Sequence, residues 1–195
     1  ALAPGSGDPM EGAYPSFVRH FDVDLSARWP GGALAPDERQ VAPSGRGEQR
    51  RPALAPTADG IAIFWEDDRA GQTRIYGALV DGAGSPGEAR VRVSTEGEVR
   101  AVRVAASGDV VYLAWQEARG ERWVVRCASS LDGGRSFTGA VDIAPNETGS
   151  QYVPDVAVDP SDASAHFVWV DTREGAARLW VARKDGAALS TAEPI

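Results

Sequence analysis

Three stretches of this chain carry the same short pattern, Trp-x-acid-x-Arg: residues 65–69 (WEDDR), 115–119 (WQEAR) and 169–173 (WVDTR). The tryptophans Trp65, Trp115 and Trp169 stand 50 and 54 residues apart. A period of this size constrains the fold more than any single element, because each unit carries an apolar face that only the next copy can bury. Each copy closes a run rich in β-branched and aromatic residues, enters a Gly-containing turn and returns in a second such run. That is a strand, a turn and a strand, three times over.

About ten residues before each tryptophan lies a short alternating segment, at 52–55, 102–105 and 154–158. These are the expected innermost strands. Downstream, 90–93, 140–143 and 188–195 supply a fourth strand for each unit. The expected fold is therefore all-β, a β-propeller of four-stranded antiparallel blades, with blades at about 51–97, 98–146 and 147–195. Runs at 17–25 and 38–42 match only the last two strands of a preceding unit, which places a half blade at 15–50 and brings the total to about three and a half blades, too few to close a ring. Residues 1–14, rich in Ala, Gly, Pro and Ser, read as a flexible arm.

Composition agrees with this reading and narrows the function. Hydrophobic residues make up 43% of the 195 and charged residues 25%, which is enough apolar material for a core. The 22 Gly and 13 Pro favour many turns over long helices. A net charge of -8 opposes binding to nucleic acid, whose phosphates call for a clustered basic surface. No apolar run is long enough to span a bilayer as a helix. Cys127 is the single cysteine, which rules out an intrachain disulfide and reads as a small buried hydrophobe. His20 and His166 are far apart in the sequence, and Asp155, Asp159 and Asp162 fit a solvated turn better than a calcium loop. No metal or other cofactor is expected.

One further motif connects the repeat to a known group. Ser130-Leu-Asp132-Gly-Gly134-Arg-Ser-Phe137 matches Ser/Thr-x-Asp-x-Gly-x-x-Trp/Phe between the third and fourth strands of its unit. In this the chain resembles the sialidase-like Asp-box (BNR) repeat propellers. Read from its chemistry alone, the motif is a folding device: Ser130 and Asp132 accept turn N–H groups, Gly134 takes a positive φ, and Phe137 covers the turn. Shorter remnants, Asp81-Gly82 and Asp185-Gly186, recur at the equivalent positions.

Among sialidases the resemblance implies an arginine triad, a Tyr–Glu nucleophile pair, an Asp acid/base and a Phe/Tyr-Arg-Ile-Pro motif. That last motif is missing here, and Tyr76 and Tyr112 occupy repeated strand positions, where packing accounts for them. No catalytic residue is assigned. Asp67 with Arg69, Glu117 with Arg119 and Asp171 with Arg173 allow two readings. They are structural ion pairs at one repeat position, or a polar ring that holds a ligand on the face opposite the Asp-box, and they are carried forward as the candidate ligand-binding residues. The tryptophans read as packing between blades.

The expected function is a non-catalytic, secreted or otherwise extracytoplasmic recognition or assembly module whose ligand is a carbohydrate or a protein. Two alternatives stand beside it. One is a sialidase-like glycoside hydrolase fragment completed by another chain. The other is a purely structural protein that closes a propeller by homo-oligomerisation, since open blades leave edges and apolar faces to cover.

Overall fold

The computed structural model describes residues 41–42, 47–93, 95–145 and 148–195. The expected arm at 1–14 and the half-blade runs at 17–25 and 38–40 lie outside these residues. Every described regular element is a strand, and no described helix is long and apolar enough to cross a membrane. The first sheet runs in the order β1 (Gln49–Thr57), β2 (Gly60–Asp67), β3 (Arg74–Asp81) and β4 (Arg90–Val93). A second repeats it with β5 (Val99–Ser107), β6 (Val110–Arg119), β7 (Arg122–Ser130) and β8 (Val141–Asp142). The third contains β9 (Gln151–Val158), β10 (Ala165–Asp171) and β11 (Arg178–Asp185), with β12 (Ala188–Leu189) and β13 (Glu193–Pro194) both on the edge of β11. All neighbours are antiparallel, each sheet is a simple meander, and the Trp and acid of the three repeated segments fall on β2, β6 and β10, with Arg69 and Arg173 two residues beyond their strands.

The single outer strand expected over 188–195 is thus two short ones. Ser190 explains the break. Its hydroxyl accepts the Arg183 N–H at 2.9 Å while its own N–H donates to the Arg183 carbonyl, so one side chain stands in for a ladder bond and lets the chain kink.

Period-two alternation decides how the sheets stack. Trp115, Leu113 and Val111 face the first sheet and bury against Ala62, Phe64 and Ile75. The intervening Tyr112 and Ala114 face the third sheet and pack on Phe167, Trp169 and Trp180. Trp115 and Trp169 therefore look back toward the preceding blade, and Trp65 packs against Val41 and Ala42. The cores thus lie between blades and not within them. The innermost strands β1, β5 and β9 lie side by side along the stack.

Trp115 is fully buried at the junction of the first two blades. Replacing it with alanine is expected to cost about 3–5 kcal/mol, the range for emptying a large aromatic site. A urea midpoint shifted by less than about 1 kcal/mol-equivalent would show that this junction is not the stabilising core described here.

Candidate functional site

Each repeated acid is bound by its own blade. The indole N–H of Trp65 donates to Asp67 at 2.9 Å, that of Trp115 to Glu117 at 2.9 Å, and that of Trp169 to Asp171 at 3.1 Å. Residues i and i+2 of a strand share a face, so a carboxylate two places after a tryptophan is well placed to take its one polar atom. In the first blade Asp67 also accepts the Arg69 N–H and guanidinium, and that guanidinium lies 4.7 Å over the Tyr76 ring. In the third, Asp171 accepts from Arg173, which lies 4.1 Å over Trp180. Tyr76 and Trp180 are the cross-strand partners of Trp65 and Trp169, so ring, guanidinium and carboxylate form one closed unit.

The second blade departs from the expected pairing of Glu117 with Arg119. Opposite Trp115 stands Arg126 where the other blades have an aromatic ring. Arg126 reaches Glu117 at 3.2 Å and Asp142 at 3.0 Å. With its place taken and no ring to lie on, Arg119 turns outward to a bidentate pair with Asp142, at 2.6 and 3.0 Å. Glu117, one methylene longer than the aspartates, also accepts the N–H groups of Glu96 and Gly97 in the loop between blades. In the other two blades Asp68 and Thr172 hold the nearby N–H groups of Glu48 and Ser150, one residue further along the same loop, where the second blade has Ala118 in place of a side-chain acceptor.

Burial pushes these acids toward the neutral form, and hydrogen bonding overcomes it. Arg69 and the Trp65 indole hold Asp67 below the usual carboxylate range, and Arg173 and Trp169 do the same for Asp171. For Glu117 the opposing donors are the Trp115 indole and the Gly97 and Glu96 N–H groups, backed by Arg126. All three are at most 2% exposed. They are ionised and already satisfied, so among the candidate residues Arg119 is the one whose side chain stands well out into solvent.

On the same end of the blades lies a feature that the Trp-x-acid-x-Arg pattern does not reveal. Every innermost strand has a β-bulge near its start, and in each a non-glycine residue adopts a left-handed backbone: Arg51 (φ 50°), Ala101 (φ 54°) and Val153 (φ 49°). Such residues cost energy unless their surroundings hold them there. The second blade's bulge is held by the first: Glu66 Oε1 accepts the Ala101 N–H at 2.7 Å. The third blade's is held by the second, through Gln116 and the Val153 N–H at 3.0 Å. Four residues before each bulge residue is a glycine: Gly47, Gly97 or Gly149. A Cβ on Gly97 would stand 1.9 Å from the Ala118 carbonyl oxygen, and those on Gly47 and Gly149 would strike the backbone of Arg69 and Arg173. The 50 and 52 residue spacing of these glycines was the available sequence signal.

Between the first two bulges is a polar cleft of about 150 Å³, lined by Arg50, Arg51, Glu66, Thr73, Glu98 and Arg100. Glu66, 2% exposed, forms its floor and pairs with Arg51 at 3.2 Å. Arg50 bridges Glu48 and Asp68, while Arg100 pairs with Glu98 and lies 5.0 Å over Trp123. These guanidinium groups are anchored on one side and exposed on the other, the arrangement that meets hydroxylated or anionic ligands with fixed donors.

At the opposite end, Ser130 Oγ accepts the N–H groups of Asp132 and Gly134, and Asp132 Oδ1 accepts that of Ser136 at 2.8 Å. Both Gly133 and Gly134 have positive φ, one more than expected. Burial would raise the Asp132 carboxyl, but hydrogen bonds from Ser136 and Ser130 hold it at about 2. Phe137 meets Phe64 edge-on at 5.6 Å, so this turn braces the preceding blade. Asp81 likewise gathers the Ala83 and Ser85 N–H groups. Burial pushes the Cys127 thiol up to about 12. Asp159 and Asp162 cap N–H groups of Ser161 and Ser164, and no group of three potential metal ligands occurs among the described residues. His20 lies outside them.

No protein-family model and no curated protein matches the chain. Solved structures do. A Hadza microbial sialidase superposes with a TM-score of 0.59 at 12% identity, over 75% of this chain and 37% of that one. A family 117 glycoside hydrolase from the marine bacterium Zobellia galactanivorans gives 0.56 at 14%, over 82% and 58%. The Trypanosoma rangeli sialidase gives 0.52 at 11%, over 73% and 29%. The chain thus has the fold of the β-propeller glycosidases and spans under two thirds of the length of each of these proteins.

Two outcomes follow for the site. An unstrained Gly→Ala exchange stabilises by up to about 1 kcal/mol, but Gly97→Ala is expected to destabilise the protein by more than that amount, because the obstacle is backbone; a neutral thermal shift would contradict the packing. Asp67, Glu117, Asp171 and Asp132 are all depressed, so the stability they add is complete above the unfolded carboxylate range and is lost as pH falls through the folded values. Urea midpoints should be flat from about pH 7 to 5 and fall steeply below about 4, with a shallower fall in Glu117→Gln.

Proposed function

We propose that this chain is a carbohydrate-recognition module, non-catalytic and extracytoplasmic, which takes its ligand on the end of the blades that carries the bulges. The observation that carries the reading is the cleft over Glu66, where Arg50, Arg51 and Arg100 are anchored by acids yet face outward. Fixed guanidinium forks and a buried carboxylate can engage vicinal hydroxyls or an acidic sugar substituent at little cost in ordering. Asp67, Arg69, Glu117, Asp171 and Arg173 then serve as the scaffold beneath that face, and Arg119 with Asp142 extends it. The Ser130–Phe137 turn, with its hydrogen bonds in place, supports kinship with Asp-box proteins.

Glycoside hydrolysis needs a carboxylic acid kept protonated near neutral pH. Asp67, Glu117 and Asp171 are held as anions by their own blades, so these three suit a scaffold and not that role. The hydrolase reading is retained as the second, because the superposed proteins are glycosidases by name and the chain spans only part of each.

A glycan array probed with the whole chain, followed by calorimetry on the best ligand, tests this. Binding is expected, and Arg51→Ala or Arg100→Ala should weaken it at least tenfold with thermal stability retained. Binding unchanged in both variants would remove the cleft from the site, and release of sugar from aryl glycosides would favour the hydrolase.

A further inference from the structure

The hairpin between β6 and β7 is built differently from its counterparts. In the first and third blades the ladder ends at Asp67 with Arg74 and at Asp171 with Arg178, and residues 68–73 and 172–177 loop between them. In the second blade pairing continues past Glu117 and Val124, Ala118 with Trp123 and Arg119 with Arg122, and closes at Gly120 (φ 62°) and Glu121. A tight turn with glycine at a positive φ keeps both strands regular up to the tip. Trp123 is thereby held in strand geometry at the position that Thr73 has in the first blade and Ala177 in the third, one residue before the partner of the repeated acid.

Thr73 lines the cleft over Glu66. Trp123 shares a face with Val125 and Cys127, which pack toward the third blade, so it stands in the corresponding notch between the second and third blades. Gln116 floors that notch as Glu66 floors the first, and Val153, whose N–H Gln116 holds, is 59% exposed there. Ser150 Oγ accepts the Trp123 N–H at 3.2 Å, which ties the hairpin to the third blade. The tryptophans Trp65, Trp115, Trp169 and Trp180 are buried, whereas Trp123 is half-buried.

Arg100 joins the two notches. It lines the cleft over Glu66, pairs with Glu98 at 3.0 Å and lays its guanidinium 5.0 Å from the centre of the Trp123 ring. Its own cross-strand partner is Gln116. A charged cleft thus continues, through one guanidinium, into an aromatic and aliphatic step. A pyranose has an apolar C–H face that suits an indole and polar edges that suit guanidinium donors.

We propose that Trp123 is the platform of a second sugar subsite and that the ligand is an acidic oligosaccharide of at least two units. The carboxylate-bearing unit meets Arg51 and Arg100 over Glu66, and its neighbour lies on Trp123 and Val153. Trp123 then sets the preference for length, and Arg51 serves ligands of every length. The inference rests on the reading of the cleft as a carbohydrate site and adds the chemistry and extent of what it takes.

Calorimetry with galacturonic acid and its linear dimer and trimer tests this on the whole chain and on Trp123→Thr, Trp123→Phe and Arg51→Ala. The dimer is expected to bind at least tenfold more tightly than the monomer, the scale on which a buried tryptophan contact counts. Trp123→Thr, which installs the residue of the first blade, should bring the dimer down to the affinity of the monomer and leave the monomer unchanged. Trp123→Phe should keep most of the gain, and Arg51→Ala should weaken all three sugars. Quenching of indole fluorescence by the dimer, lost in Trp123→Phe, reads the same contact with a ring still in place. A dimer no tighter than the monomer, both weakened by Arg51→Ala, overturns the platform and leaves the cleft standing. Equal losses for monomer and dimer in Trp123→Thr also overturn it, since Trp123 would then only support Arg100. So does a Trp123→Thr variant that binds all three sugars as the unaltered chain does. Absence of binding at every length overturns the platform together with the acidic-sugar reading of the cleft.

Discussion

A buried indole has one polar atom, and leaving it unpaired in an apolar junction costs about as much as a hydrogen bond is worth. In all three blades that atom is answered by a carboxylate two residues later on the same strand. The rest of the structure follows from this pairing. The carboxylate must then be kept ionised, which draws in an arginine. The arginine needs a surface, which an aromatic ring on the neighbouring strand supplies in two blades. The free lone pairs organise the turn and the loop between blades. A tryptophan that packs one blade on the next thus also shapes the end of the blade where ligands can reach.

That end combines rigidity with local strain. Three non-glycine residues sit in left-handed conformations at the bulges, and two of them are restrained by a side chain from the preceding blade. Strain held in this way is stable because relieving it requires two blades to part. It also points the first residues of β1 and β5 toward the cleft, where they meet solvent without being loose. A recognition surface assembled from such parts can hold its donors in place before a ligand arrives, which is the usual route to affinity in a small polar site.

Much of the fold was legible because the repeat is written in large residues. Trp65, Trp115 and Trp169 set the register, and the alternating runs before and after them place the inner and outer strands. The break of the last strand at Ser190 was not legible, since it depends on one hydroxyl replacing a backbone bond. The site was less legible than the fold. Pairing by adjacency is right for Asp67 with Arg69 and Asp171 with Arg173. It fails for Glu117, because the competing guanidinium of Arg126 comes from the next strand and only the ladder shows that it stands where Tyr76 and Trp180 do. The clasp by Glu66 and Gln116 was hidden for a similar reason: these are the variable residues inside the repeated pattern, and their role lies in the neighbouring blade.

The exchange of an aromatic ring for Arg126 has a consequence for how such a chain can change. The second blade carries four linked differences from its neighbours: Arg126 for a ring, glutamate for aspartate at 117, alanine at 118, and Asp142 to receive Arg119. No one of these is a sound replacement without the others, since each single swap strands a charge or leaves an indole or amide unanswered. The blades are alike in shape but not interchangeable as parts. A duplication or shuffling event that copied the second blade would have to carry the whole set, and even the first and third, which share the ring-and-arginine solution, could not trade this segment without losing the hold of Glu66 on the Ala101 N–H.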